Sequence, residues 1–184
     1  MTCDNAPLAV TVAFIGFMGA GKTSVAAELS ERLRVAFIDI DQEVETYTGM
    51  TITEIFERNG ERFFRGLETE LLEDALNGAP ALIACGGGVV LDPKNVERLK
   101  ESAFTIYLQM SADQIELRLE DYSTRPLIQA VDGPQEIAEM MVAREELYEI
   151  VADRTVDTSG LTLDEVCDQI EKLLKEADSG IFHA

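Results

Sequence analysis

The sequence predicts an α/β fold built on a parallel sheet buried on both faces. Short apolar runs alternate with helical patterns along the chain, as successive βα units require. The runs are almost continuously apolar rather than alternating, which is the mark of strands covered on both sides. No repeat, low-complexity tract or Pro/Gly/Ser linker divides the 184 residues. A chain of this length is naturally one domain and buries about 70% of the surface that its unfolded form exposes. We therefore expect a single domain over 1–184, with a core at 10–176 and loose tails at 1–8 and 177–184.

The first expected strand is Val10–Ile15, which runs into a glycine-rich loop and then an amphipathic helix in SVAAELSERL. The second is Val35–Ile38. Helix starts follow: Thr51-Ile-Thr-Glu54 is a capping box, as are Ser111-Ala-Asp-Gln114 and Thr162-Leu-Asp-Glu165, because the N-cap hydroxyl and the acid or amide three residues on satisfy each other's backbone donors. Ala81–Cys85 is the third strand. Asp92-Pro93 then sets an N-cap before a proline at the first helical position. Thr105–Gln109 and Thr155–Asp157 are the last two strands. Val166, Ile170, Leu173 and Leu174 in the final helix form the stripe of a helix packed on a sheet. Residues 120–134 are polar, weakly periodic and contain two prolines, so we expect a long loop, a mobile lid at about 120–133.

Composition removes several classes of function. Thirty-five acidic residues against 15 basic ones give a formal charge of −20, which argues against nucleic acid or an anionic membrane as the main partner. The apolar run at 8–20 is too short to cross a bilayer, and the preceding residues carry Asp4 and no basic residue, the wrong flank for a signal peptide. The single histidine is His183, next to last, so a histidine triad, metal site or general base is not expected. Cys3, Cys85 and Cys167 lack metal-ligand spacing and read as reduced thiols. A cytoplasmic protein is expected, and any chemistry falls to carboxylates, Lys, Arg and backbone dipoles.

Gly16-Phe-Met-Gly-Ala-Gly21-Lys22-Thr23 matches the phosphate-binding P-loop. Glycines turn backbone N–H groups toward phosphate oxygens, the following helix adds its positive end, Lys22 reaches the outer phosphates and Thr23 can ligate Mg²⁺. At the end of the second strand, Asp39 and Asp41 would share one face if the extended conformation persists. They would then stand beside the P-loop at the strands' carboxyl ends. The alternative is that Asp41 simply caps a helix beginning near Gln42. Gly86-Gly87-Gly88 follows another strand and permits a ligand to approach the backbone, or makes a tight turn. Arg65, Arg125 and Arg144 have the fork that grips carboxylate and phosphate, but in so acidic a chain any one of them is more often a surface ion-pair partner. Periodicity does not say that they converge.

In this order and at these intervals, the marks over about 10–175 resemble the shikimate kinase family. They are GxxGxGKT at 16–23, D-x-D at 39–41, F-R-x-x-E at 64–68, G-G-G at 86–88, R-P-L at 125–127 and R-x-x-L-Y at 144–148. The resemblance implies a three-layer αβα P-loop kinase with a five-stranded parallel sheet in the order 2-3-1-4-5. It implies ATP-dependent phosphorylation of the 3-hydroxyl of shikimate, in aromatic amino-acid biosynthesis, by a monomer using one Mg²⁺. Gly19, Ala20, Gly21, Lys22, Thr23 and Ser24 would wrap the ATP phosphates, with Thr23 and Asp39 serving the metal. Asp41 would bind the substrate hydroxyls as the candidate base. Arg65 and Arg144 would clamp the carboxylate, with Glu68 orienting Arg65, and the Gly87 backbone would meet a hydroxyl. Arg118 would lie along the adenine, while Arg125 would close over the phosphates and join Lys22 and Asp41 in catalysis. One departure is Glu145-Glu146, where many members carry a proline; we expect both to face solvent.

Two rivals come from the residues themselves. Another small-molecule P-loop kinase, such as a gluconate kinase, would share the P-loop and the sheet. A nucleotide-dependent switch would account for Asp157-Thr-Ser-Gly160, which matches D-x-x-G, but no guanine-reading N-K-x-D is present.

Overall fold

The structure, a computed structural model, describes residues 8–111, 114, 134–177 and 180–182. Five parallel strands are joined in the order β2-β3-β1-β4-β5: β1 Thr11–Ile15, β2 Phe37–Asp39, β3 Leu82–Ala84, β4 Ala103–Gln109 and β5 Arg154–Asp157. The described helices are α1 Lys22–Leu33, α2 Ile40–Thr48, α3 Ile52–Asn59, α4 Glu61–Asn77, α5 Pro93–Ser102, α6 Pro134–Val151 and α7 Leu163–Glu176, with a 3₁₀ turn at Val89–Leu91. Every residue of β1 and of β3 is buried, which is why these segments read as unbroken apolar runs. The edge strand β5 buries only Val156.

Right-handed crossovers decide which helices share a face. From central β1 the chain passes by way of α1 to the far edge strand β2. Every later crossover runs the other way, from β2 to β3, β3 to β4 and β4 to β5. Helix α1 is therefore opposite α4, α5 and α6, and α7 returns to pack beside it. Arg32 of α1 fastens that pair, with bonds of 2.6 Å to Asp164 and 2.8 Å to Asp168. Because the chain leaves the adjacent strands β1 and β4 in opposite directions, a crevice opens at their carboxyl ends, where open α/β sheets bind ligands.

Local signals account for most boundaries. Thr51 and Thr162 cap α3 and α7 with complete capping boxes, and the Asp92 carboxylate accepts from the Lys94 N–H ahead of Pro93. The expected Ser111–Gln114 box is corrected: Ser111 N–H donates to Ser159 Oγ at 3.1 Å and Gln114 Oε1 accepts from Gly160 N–H at 2.8 Å, so both reach the loop after β5 instead of each other. Helices α2, α3 and α4 enclose a small second cluster of Val44, Ile55, Phe64 and Leu67.

Two further expectations are corrected. Strand β2 ends at Asp39, and Ile40 already opens α2. The two aspartates therefore do not share a strand face, and Asp39 rather than Asp41 is the N-cap, accepting from Gln42 N–H at 3.1 Å. The end of the chain is also held where a loose tail is expected. Ala9 N–H donates to Ile181 O at 2.8 Å, Leu8 bridges Phe182, and Leu8 and Ile181 are buried apolar residues joined to the main core.

Candidate active site

The loop after β1 reverses direction on glycines. Gly19 has φ +83° and Gly21, the N-cap of α1, has φ +87°, conformations that residues with a Cβ seldom adopt. No side chain caps α1, and the positive end of the helix lies at the phosphate loop. The Ala20 N–H closes the loop on Phe17 O at 3.2 Å. Lys22 is buried, and its ammonium donates to the carbonyls of Gly16 and Phe17 at 2.9 Å each. Thr23 and Ser24 are exposed on the first turn. The Thr23 hydroxyl donates to Asp39 Oδ2 at 2.6 Å, so the strand-end aspartate and the P-loop threonine meet although 16 residues separate them.

A second set of side chains gathers across the glycine run. Arg65 and Glu68 lie on one face of α4, and Arg65 Nη1 donates to Glu68 Oε2 at 2.7 Å. Glu61 holds the other edge of the guanidinium at 3.1 Å, and the Phe64 ring lies beneath it at 5.2 Å. Glu68 is fully buried, and its Oε1 has no hydrogen-bond partner among the described residues. Burial pushes the Glu68 carboxyl above the usual range, Arg65 draws it back down, and nearby Asp41 adds to the upward push. The adjoining Cys85 thiol is likewise raised, by burial first and Glu68 second.

The three glycines are needed for close approach, each against a different neighbour. A Cβ on Gly86 would overlap Glu68 Oε1 and lie 2.9 Å from Asp41 Oδ1. One on Gly88 would run into the Arg65 guanidinium. One on Gly87 would meet the Met18 backbone nitrogen of the P-loop at 3.2 Å. The Gly87 carbonyl accepts from the Tyr148 hydroxyl at 2.5 Å and from Arg144 Nη1 at 3.4 Å. Arg144 is buried and lies over the Phe17 ring of the P-loop at 5.7 Å. Asp41, Arg65, Gly87 and Arg144 are thus brought to one place beside the phosphate loop, together with Glu68. Arg118 and Arg125, and the whole of the expected lid, lie outside the described residues.

Oxygen donors are present for a metal ion, but not a closed set. Among the described residues no group of three or more His, Cys, Asp or Glu side chains could hold one. The Thr23 hydroxyl and the Asp39 carboxylate suit a hard dication whose remaining positions come from phosphates and water, the usual state of protein-bound Mg²⁺.

The family model described as shikimate kinase matches residues 18–175. The chain belongs to the shikimate kinase family. It is 40% identical over 169 residues to the shikimate kinase of Thermodesulfovibrio yellowstonii, covering 92% of this chain and 97% of that one. It is 36% identical over 168 residues to that of Dehalococcoides mccartyi, covering 91% and 95%. Among solved structures, shikimate kinase from Acinetobacter baumannii in complex with shikimate superposes with a TM-score of 0.87 at 33% identity, over 92% of this chain and 94% of that one. A gluconokinase from Sinorhizobium meliloti is 16% identical with a TM-score of 0.51, a likeness of fold alone. The sheet order and the ATP-dependent kinase activity that the resemblance implies are those of the family.

Against this family background, Glu145 and Glu146 are both exposed, and Glu145 accepts from Gln109 Nε2 at 2.9 Å. They leave Arg144 to its buried partners. Tyr148 is the residue to which sequence reasoning assigned no task. Its one signal was its position, a helical turn beyond Arg144 and on the same face.

Proposed function

We propose that this chain transfers the terminal phosphoryl group of ATP to the 3-hydroxyl of shikimate. The observation that carries the reading is the glycine run, which touches the P-loop at Gly87 while Gly86 and Gly88 fit against Asp41, Glu68 and Arg65. An anionic acceptor held there has its hydroxyls next to the phosphate cradle. Arg65 and Arg144 supply two guanidinium groups for one carboxylate, and Glu68 fixes the first of them through its 2.7 Å ion pair.

In this reading Gly19 to Ser24 surround the phosphates, and Lys22 moves from the loop carbonyls to the outer phosphate oxygens. Thr23 and Asp39 would hold Mg²⁺, which when bound would supply neutralisation of phosphate charge. Asp41 aligns the attacking hydroxyl and takes up its proton as transfer proceeds. In a loose transition state alignment matters more than proton removal. Arg125 adds positive charge at the transferring group and Arg118 lies along the adenine, roles taken from the resemblance. A monomer in the cytoplasm is part of the same reading, and dependence on ATP supports that location. No described helix is long and apolar enough to cross a membrane.

A coupled assay of ADP release tests the proposal. Turnover is expected only when ATP, Mg²⁺ and shikimate are all present. Release driven equally by gluconate, or none with shikimate, overturns it.

A further inference from the structure

We propose that Tyr148 is a positioning residue for the acid substrate. Its hydroxyl fastens the Gly87 carbonyl, and through it sets both the amide edge of the glycine run and the reach of Arg144. The inference rests on the kinase reading above.

The geometry makes this phenol a junction. Tyr148 is 1% exposed, so its hydroxyl must find a partner inside the protein. That partner is the Gly87 carbonyl, 61 residues away in sequence. The ring is stacked on Tyr107 of β4, with centroids 5.0 Å apart and planes inclined by 24°, so the hydroxyl is aimed from the sheet itself. Arg144, one turn earlier on α6, reaches the same carbonyl at a longer 3.4 Å and packs on the P-loop ring of Phe17. A run of three glycines has no side chains with which to anchor itself. Its outer members are bounded by Glu68, Asp41 and Arg65 and accept from Val89 N–H at 3.1 Å and Leu91 N–H at 3.0 Å, while toward the P-loop Gly87 faces Met18 and the Gly16 carbonyl. The Tyr148 hydroxyl resists displacement of the peptide on the carbonyl side. A peptide plane is rigid, so fixing its oxygen restricts the glycine backbone around it.

Two variants of the full chain test this. Tyr148→Phe keeps the ring and removes the bond; Tyr107→Phe removes a hydroxyl from the same stacked pair and leaves the Gly87 bond in place. Loss of one hydrogen bond from Tyr148 is expected to raise the KM for shikimate about three- to tenfold, with the KM for ATP and the shikimate KM of Tyr107→Phe unchanged. An unchanged shikimate KM in Tyr148→Phe, or equal changes in both variants, overturns the proposal, as does a lowered melting temperature with no change in either KM. If Tyr148→Phe does not fold, ¹⁹F spectra of the 3-fluorotyrosine-labelled protein decide. The other tyrosines are assigned by their own Phe substitutions, and the remaining Tyr148 resonance must move on saturation with shikimate; a fixed resonance overturns the proposal. Absence of shikimate turnover in the unsubstituted protein would instead remove the kinase reading, so the two failures are distinguishable.

Discussion

The phosphate loop and the acid-substrate pocket meet at the same glycine run, yet they are built by opposite means. The loop is contiguous and made of backbone: residues 16–24 place their own N–H groups, and Lys22 bonds to carbonyls five and six residues before it. The pocket is made of side chains from α2, α4 and α6, with hydrogen bonds that span up to 61 residues. A local device can be read from a short string, whereas an assembled one exists only after the sheet has ordered its helices. The loop recognises a group common to many substrates. On the proposed function the pocket serves one acid, so its substitutions should alter the substrate's KM, and those in the loop should alter the rate.

The largest expected effect is on the loop side. Lys22→Ala should lower kcat by about 10²- to 10³-fold, the scale of removing one donor from a developing anion, with little change in the KM for shikimate. A shikimate KM that rises as steeply as kcat falls would break the division. Asp41→Asn stands between the two regions and should cost about 10²-fold in kcat; near-full turnover would remove it from the reaction.

On the pocket side, Arg65→Ala should raise the KM for shikimate about 10- to 100-fold, since a charge-assisted clamp is lost. It also strands the fully buried Glu68, at a cost of about 3–5 kcal/mol in stability at neutral pH. The sign of its pH dependence follows from burial. Glu68 titrates above its ordinary range, and without Arg65 it is raised further. Its contribution is therefore intact when the carboxyl is protonated and is lost as pH rises through the folded value. Melting curves of Arg65→Ala should recover toward the parent as pH is lowered, and adding Glu68→Gln should flatten that dependence. Stability that falls instead as pH is lowered from neutral would refute the account. The smallest effect belongs to Gly88→Ala, which moves the Arg65 guanidinium without removing it. A few-fold rise in shikimate KM is expected, with kcat and the KM for ATP retained. An equal change in both KM values would show that the two regions are more tightly joined than their construction implies.

The same contrast governs what could be read before folding. All five strands were legible to within two residues at their ends, because apolar runs and caps are local: Thr51, Thr162 and Asp92 perform the tasks their spacing announces. The P-loop was legible for the same reason. The division of labour between Asp39 and Asp41 was not, since it turns on the single residue at which strand gives way to helix. Nor were the separate neighbours of Gly86, Gly87 and Gly88, which come from α2, α4, α6 and the P-loop and carry no mark in the run itself. Tyr148 sat in plain view beside Arg144, but its partner is a carbonyl, and a carbonyl has no letter in a sequence.

That run has a consequence for inhibition. Resistance to a drug usually arises when a contacting side chain is exchanged for another that the protein tolerates. Gly86 offers no such exchange, because even a methyl group collides with Glu68, which is fully buried and paired with Arg65. An inhibitor that takes its hydrogen bonds from this stretch of main chain would bind a surface that the enzyme cannot redraw without weakening its hold on its own substrate.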